Sequence, residues 1–143
     1  MSWREKKQQV LNELSQRDLD GVFEVTGESE DGVLLQAEQT MGNGRCVISL
    51  TLNDRPFNCI YYSLGKLNNL GRKDAMLDLL NSFNEGNLML KFFINDSNNI
   101  MCLVTYIAIE DSFQAYEYVA LISSAFNSID DEFYSRIMRV MWG

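Results

Sequence analysis

The chain has 143 residues, of which 46% are hydrophobic and 11% aromatic, and a formal net charge of −8. These values predict one globular domain over residues 1–143 and argue against a disordered chain. The acids concentrate in two segments without Lys or Arg, residues 18–38 and 92–135, with seven Asp or Glu in each. Because such segments repel phosphate backbones, we expect no nucleic-acid binding.

Targeting signals and cysteine usage indicate the compartment. No stretch approaches the roughly eighteen apolar residues of a membrane helix, and the N-terminal part lacks a secretory signal pattern, so we expect a cytoplasmic protein without membrane association. The three cysteines, Cys46, Cys59 and Cys102, lie in apolar segments, and the chain has no histidine. This odd count without a Cys-x-x-Cys pair indicates free, buried thiols. We expect no metal and no cofactor.

The N-terminal segment has the pattern of an amphipathic helix. Ser2 and Glu5 are spaced as a capping box, which predicts a helix over residues 3–17 that ends at Asp20-Gly21. Its apolar stripe consists of Trp3, Val10, Leu11 and Leu14. The residues expected to face solvent are Arg4, Lys6, Lys7, Gln8 and Gln9.

Four short apolar segments then predict an antiparallel meander, at residues 22–25, 33–40, 46–52 and 58–64. The clearest turn is Gly42-Asn43-Gly44, since Gly and Asn tolerate the positive φ angles of tight hairpins. The third segment alternates cleanly between apolar and polar residues, which predicts one buried and one comparatively wet sheet face.

Residues 72–83 predict a second helix, and residues 88–94 and 100–109 a second hairpin. Because both hairpin strands are apolar on both faces, we expect them in the middle of the sheet, covered on either side, and another subunit can supply the second cover. Gly86 is expected to end the helix in the left-handed conformation. Three asparagines are expected to cap the helix and tie it to the hairpin: Asn81, Asn84 and Asn87.

Residues 113–127 predict a third helix, and Asp130-Asp131-Glu132 places negative charge at the start of a final helical segment. That segment is apolar up to Trp142, so we expect it to be docked on the fold or on a partner. The hairpin and this segment together supply the candidate partner-binding residues: Met89, Phe93, Leu103, Ile107, Met141 and Trp142.

Catalytic patterns are absent from the sequence. Without histidine, Ser-His and Cys-His nucleophile pairs are impossible, and no P-loop or Gly-x-Ser-x-Gly occurs. Three acids could meet in space, which leaves a carboxylate- or metal-dependent enzyme open: Asp54, Glu110 and Asp111. Three bases could hold an anion or belong to a solvated loop: Lys66, Arg72 and Lys73. We expect a protein that is not an enzyme.

The element order α-β-β-β(-β)-α-β-β-α, with Leu79-Leu80-Asn81-Ser82-Phe83-Asn84-Glu85-Gly86-Asn87 before Lys91-Phe92-Phe93-Ile94, resembles the YbjN family. The segment from Ile129-Asp130 to Met138 is also similar to the last helix of that family. YbjN proteins are described as bacterial sensory transduction regulators with a fold similar to type III secretion chaperones. The resemblance implies a small α+β protein, often dimeric, that binds polypeptides or regulates, and it brings no catalytic residues.

These observations predict a non-enzymatic polypeptide-binding or regulatory protein that forms a homodimer. The alternative is an acidic immunity or inhibitor protein that neutralises a basic enzyme by charge-steered association, because the acids are unevenly distributed along the chain.

Overall fold

The computed structural model describes residues 1–18 and 21–142. Its elements are α1 (Trp3–Gln16), β1 (Glu24–Glu28), β2 (Gly32–Met41), β3 (Gly44–Asn53), β4 (Phe57–Lys66), α2 (Lys73–Gly86), β5 (Lys91–Ile94), β6 (Asn99–Ile107), α3 (Ala115–Ser128) and α4 (Tyr134–Trp142). A 3₁₀ turn precedes α2, and a π-helical turn, Ile129–Phe133, joins α3 to α4. The predicted α+β class and element order are confirmed. The predicted helix end at Asp20-Gly21 falls partly outside the described residues.

The strands form one six-stranded sheet in the order β1-β2-β3-β4-β6-β5, and every pairing is antiparallel. The β2–β3 hairpin is the longest ladder, with ten residue pairs, and its turn contains Gly42 at φ +55°. This confirms the predicted Gly42-Asn43-Gly44 turn.

The core lies on one face of the sheet, which we call the inner face. One row of this face crosses four strands and is at most 1% exposed: Leu35, Leu50, Ile60 and Val104. All four helices contribute buried residues to the same core, among them Val10, Leu80, Ile122 and Ile137. The molecule is therefore a two-layer sandwich, and no helix of the described chain covers the opposite, outer face.

The position of the second hairpin differs from the prediction. β6 lies inside the sheet, but β5 is an edge strand, so the expected mid-sheet position is wrong for β5. β5 begins at Lys91, three residues later than predicted, and Leu88 and Met89 before it are exposed. Gly86 does not have a positive φ angle, and Asn87 ends α2 in an extended conformation.

Asparagines of α2 satisfy the free edge of β5. Asn84 donates to the Phe92 carbonyl at 3.0 Å and accepts from the Phe92 N–H at 2.8 Å. Asn87 donates to the Phe83 carbonyl and accepts from the Leu90 N–H, both at 2.7 Å. The predicted tie between helix and hairpin is confirmed for Asn84 and Asn87.

Lys6 ties α1 to the turn between β3 and β4. Its ammonium donates to the carbonyls of Asn53 at 2.7 Å and Arg55 at 2.9 Å, and to Asn58 Oδ1 at 3.3 Å. Burial lowers the pKa of Lys6, and the charge of Asp54 partly offsets this effect. Because Lys6 is 3% exposed, the prediction that it faces solvent is wrong.

We predict that Asn84→Ala lowers the free energy of unfolding by about 1–3 kcal/mol, because the backbone N–H and the carbonyl of Phe92 both lose their hydrogen-bond partner. Asn81→Ala is the matched control, since Asn81 is exposed on the same helix, and should change stability by less than about 0.5 kcal/mol. Urea unfolding followed by circular dichroism measures both. Equal effects of the two substitutions would contradict this role of Asn84.

Candidate functional site

The outer face carries an apolar patch on β4, β6 and β5. Strand alternation places on it six large apolar or aromatic residues, with the smaller Cys59, Ser63 and Thr105 between them. We call the six the outer patch: Phe57, Tyr61, Phe93, Met101, Leu103 and Ile107. Phe57 and Ile107 lie opposite each other and are 54% and 56% exposed, while the other four are half-buried. None of the six belongs to the core cluster or packs against it. The outer patch is therefore available for contact.

The remainder of the outer face is mostly polar, with Leu34 on β2 and Val47 on β3 as apolar exceptions. In the row that contains Tyr61 and Leu103, the positions on β2 and β3 are Gln36 and Ser49, joined by a 2.9 Å hydrogen bond. An antiparallel sheet with one solvated face normally carries polar residues at such positions. The strands β2 and β3 follow that rule, whereas the outer patch departs from it.

The outer patch contains no acid, although the chain has 20 acids and 12 bases. The row of Tyr61 and Leu103 ends at Lys91 on β5 and, across the whole sheet, at exposed Glu24 on β1. The neighbouring row ends at Glu38, which pairs with Arg45 at 2.8 Å. Aromatic residues and methionine with few charges are the composition found at the centre of protein interfaces.

The structure separates the predicted partner-binding residues into three groups. Phe93, Leu103 and Ile107 come together in the outer patch. Met89 is 61% exposed in the connection before β5, and Trp142 is 70% exposed on α4. Met141 is 5% exposed and belongs to the core, so we remove it from the candidate surface.

Sequence reasoning missed Phe57, Tyr61 and Met101 as members of this surface. Their signal was present, because outer-face positions alternate with buried ones along β4 and β6. The pairing of β4 with β6 could not be read from the sequence, so the two strands were not seen to share one patch.

Two of the three acids considered for carboxylate chemistry are engaged near the start of α1. Asp54 accepts a hydrogen bond from the Trp3 N–H at 2.7 Å, and Asp111 pairs with the α-amino group of Met1 at 2.7 Å. This contact lowers the pKa of Asp111. Residues 1–18 and 21–142 contain no group of three His, Cys, Asp or Glu side chains that could hold a metal ion.

Two thiols lie deep in the core. Cys46 and Cys102 are fully buried, and burial raises the pKa of each to about 12. Since the thiolate is the nucleophile, both are poorly reactive at neutral pH. Cys59 is half-buried on the outer face.

No family model, curated protein or solved structure matches this chain. The helices of the described chain are all too short or too polar to cross a membrane. The resemblance to the YbjN family therefore stays a prediction from the residues quoted above.

We predict that stability falls as pH rises from about 9 towards 12. The folded chain keeps the Cys46 and Cys102 protons at pH values where the unfolded chain has released them, which favours unfolding. Between pH 9 and 10 the loss should be about 1 kcal/mol for each buried thiol. Urea unfolding at each pH measures it. Cys46→Ala should show a smaller fall than wild type, whereas parallel curves would contradict the assignment.

Proposed function

We propose that this protein is a non-enzymatic binding protein and that its outer patch is a protein–protein interface. The occupant of the outer patch is a second copy of the chain, which makes the protein a homodimer. The observation that carries this proposal is the apolar half of the outer face, from Phe57 to Phe93 across three strands, which no helix of the described chain covers.

The size of the face is sufficient for a dimer. The four central strands have nine or ten residues each, so they cover about 19 Å by 30 Å, and the two edge strands bring the face to roughly 750 Å². A standard interface buries about 800 Å² on each partner. The outer patch on β4, β6 and β5 covers about half of this area, so a dimer interface of ordinary size would also bury the polar half of the outer face.

Charge also favours a second copy at this face. Each copy carries a formal charge of −8, so association is opposed wherever acids approach one another. The outer patch has no acid, and the neighbouring Glu38 is neutralised by Arg45. Two copies can approach through the outer patch with little repulsion between like charges, whereas exposed Glu24 lies at the β1 end of the same face.

In this proposal the dimer binds polypeptides or regulates, as the resemblance to the YbjN family implies. The absence of histidine and the raised pKa values of Cys46 and Cys102 support a role without nucleophilic catalysis. The proposed location is the cytoplasm, where free thiols stay reduced.

We predict that Leu103→Asp converts the dimer to a monomer, because it buries a carboxylate against the partner's outer patch. Leu77→Asp is the matched control: Leu77 is 44% exposed on α2 and lies on the opposite side of the sheet. Sedimentation equilibrium over a concentration series should give a dimer for wild type and Leu77→Asp. A wild-type monomer at all concentrations, or a dimeric Leu103→Asp, would overturn the dimer.

The alternative function, an acidic inhibitor or immunity protein, is favoured by a different observation. β1 is the other edge strand, and it carries Glu24 and Glu28, with Glu30 and Asp31 exposed just after it. Such a surface steers a basic enzyme at rates that fall steeply with salt. For this alternative, a Glu24→Gln, Glu30→Gln variant should bind a basic partner more slowly at low salt, while Leu103→Asp should not.

A further inference from the structure

The strands β3 and β4 separate at one end of the sheet. Each has ten residues, but they pair at four positions, from Leu50 opposite Ile60 to Val47 opposite Ser63. Beyond Ser63, β4 has a register shift, with Gly65 at φ +136°, and it continues to pair with β6 but no longer with β3. The backbone groups that a continued ladder would have joined therefore have no partner strand across the gap.

The gap at the opposite end of the same two strands is filled by side chains. Thr51 Oγ1 accepts from the Cys59 N–H at 3.2 Å and donates to the Cys59 carbonyl at 3.1 Å. Asn58 Oδ1 accepts from the Asn53 N–H at 3.2 Å, with Lys6 behind it. Buried backbone groups need such partners. The sequence supplies them at one end and leaves a cleft at the other.

The cleft has a volume of about 670 Å³, within the range of ligand pockets. One side is apolar and includes Leu64, Met138, Met141 and Trp142, while Arg45 and Lys66 lie among its polar residues. None of the residues that line it is an acid. In a chain of charge −8, this is an environment suited to an anion with an apolar body.

The walls of the cleft are held in place by contacts among its lining residues and with their neighbours. The ring of Tyr134 packs against Gly42 and Gly44, where a Cβ atom would overlap it. Asp130 accepts from the Gly42 N–H at 3.1 Å. On the other side, Arg72 donates to the Val140 carbonyl at 3.1 Å and holds the end of α4. The cleft is preformed, so filling it costs little ordering entropy.

The charges limit the head group of the ligand to a single negative charge. Arg45 is already paired with Glu38 at 2.8 Å, whereas Lys66 is exposed and forms no ion pair within the described residues. The methionines have flexible, polarizable side chains that adapt to an alkyl chain. Trp142, 70% exposed, offers a flat apolar surface at the mouth.

We propose that this cleft binds a linear amphiphile with a carboxylate head, which Lys66 and backbone N–H groups beside the gap between β3 and β4 hold, and an alkyl chain that lies against Met138 and Trp142. The site does not depend on the outer patch, so its failure would leave the proposed dimer untouched.

Decanoate at submicellar concentration is the probe, with decanol and decylamine as partners of equal chain length. Trp142 is one of two tryptophans, and Trp3 is buried, so the difference between wild-type and Trp142→Phe emission isolates the signal from the cleft. Decanoate should give a saturable blue shift of Trp142, decanol a weaker response, and decylamine none. Decanol or decylamine binding as tightly as decanoate would overturn the proposal, as would no response to decanoate.

Two lysine variants locate the head group. Lys66→Gln should weaken decanoate binding roughly tenfold, the loss expected when a charge-assisted hydrogen bond is removed. Lys91→Gln is the matched control, since Lys91 is an exposed lysine of the outer face, and should leave the affinity unchanged. Leu103→Asp should also bind normally. Loss of binding in Leu103→Asp with retention in Lys66→Gln would place the probe on the outer patch and overturn the proposal.

Discussion

The inner face of the sheet has to bury the apolar stripes of four helices. Only every second side chain of a strand points to the inner face. All four helices, from α1 to α4, pack on that face, and none in the described chain is left to cover the outer face. The polar outer residues of β2 and β3 can be solvated by water. The outer residues Tyr61, Leu103 and Phe93 of β4, β6 and β5 are largely apolar, and water solvates them poorly. The one-sided core thus generates the outer patch.

The two edges of the sheet are protected against pairing with an added strand. On β5, Asn84 occupies both backbone groups of Phe92, and just before the strand Asn87 occupies the N–H of Leu90, so an added strand finds these groups already bonded. On β1, a register shift between Val25 and Gly27 interrupts regular pairing, and exposed Glu24 adds charge. Both are known devices against edge-to-edge pairing. Lateral growth is opposed at each edge, whereas the outer patch has no comparable protection.

Local patterns predict the elements of this fold well, because periodicity and turn residues act within a few positions. They fail where a contact joins distant segments. Lys6 was assigned to solvent by its place on the helix, yet its long side chain reaches two carbonyls of the β3–β4 turn. Strand order is equally non-local: β6 inserts between β4 and β5, so the apolar β5 lies at an edge. The alternation of apolar residues predicted Phe93 and Leu103 as members of the candidate surface. It did not predict Tyr61, which lies opposite Leu103 in the β4–β6 ladder.

The two candidate surfaces follow from opposite features of the same strand. In its central part β4 pairs with both neighbours, so its outer side chains are fixed in a flat array that includes Tyr61 and suits a large, flat partner. Past Ser63 it pairs with β6 alone, and the gap between β3 and β4 is lined by Lys66 and by the apolar side of α4. A flat array favours contacts between apolar side chains over a wide area. A narrow gap with polar walls favours a small ligand that supplies the missing hydrogen bonds. The register shift between Ser63 and Gly65 thus marks where the outer patch ends and the cleft begins.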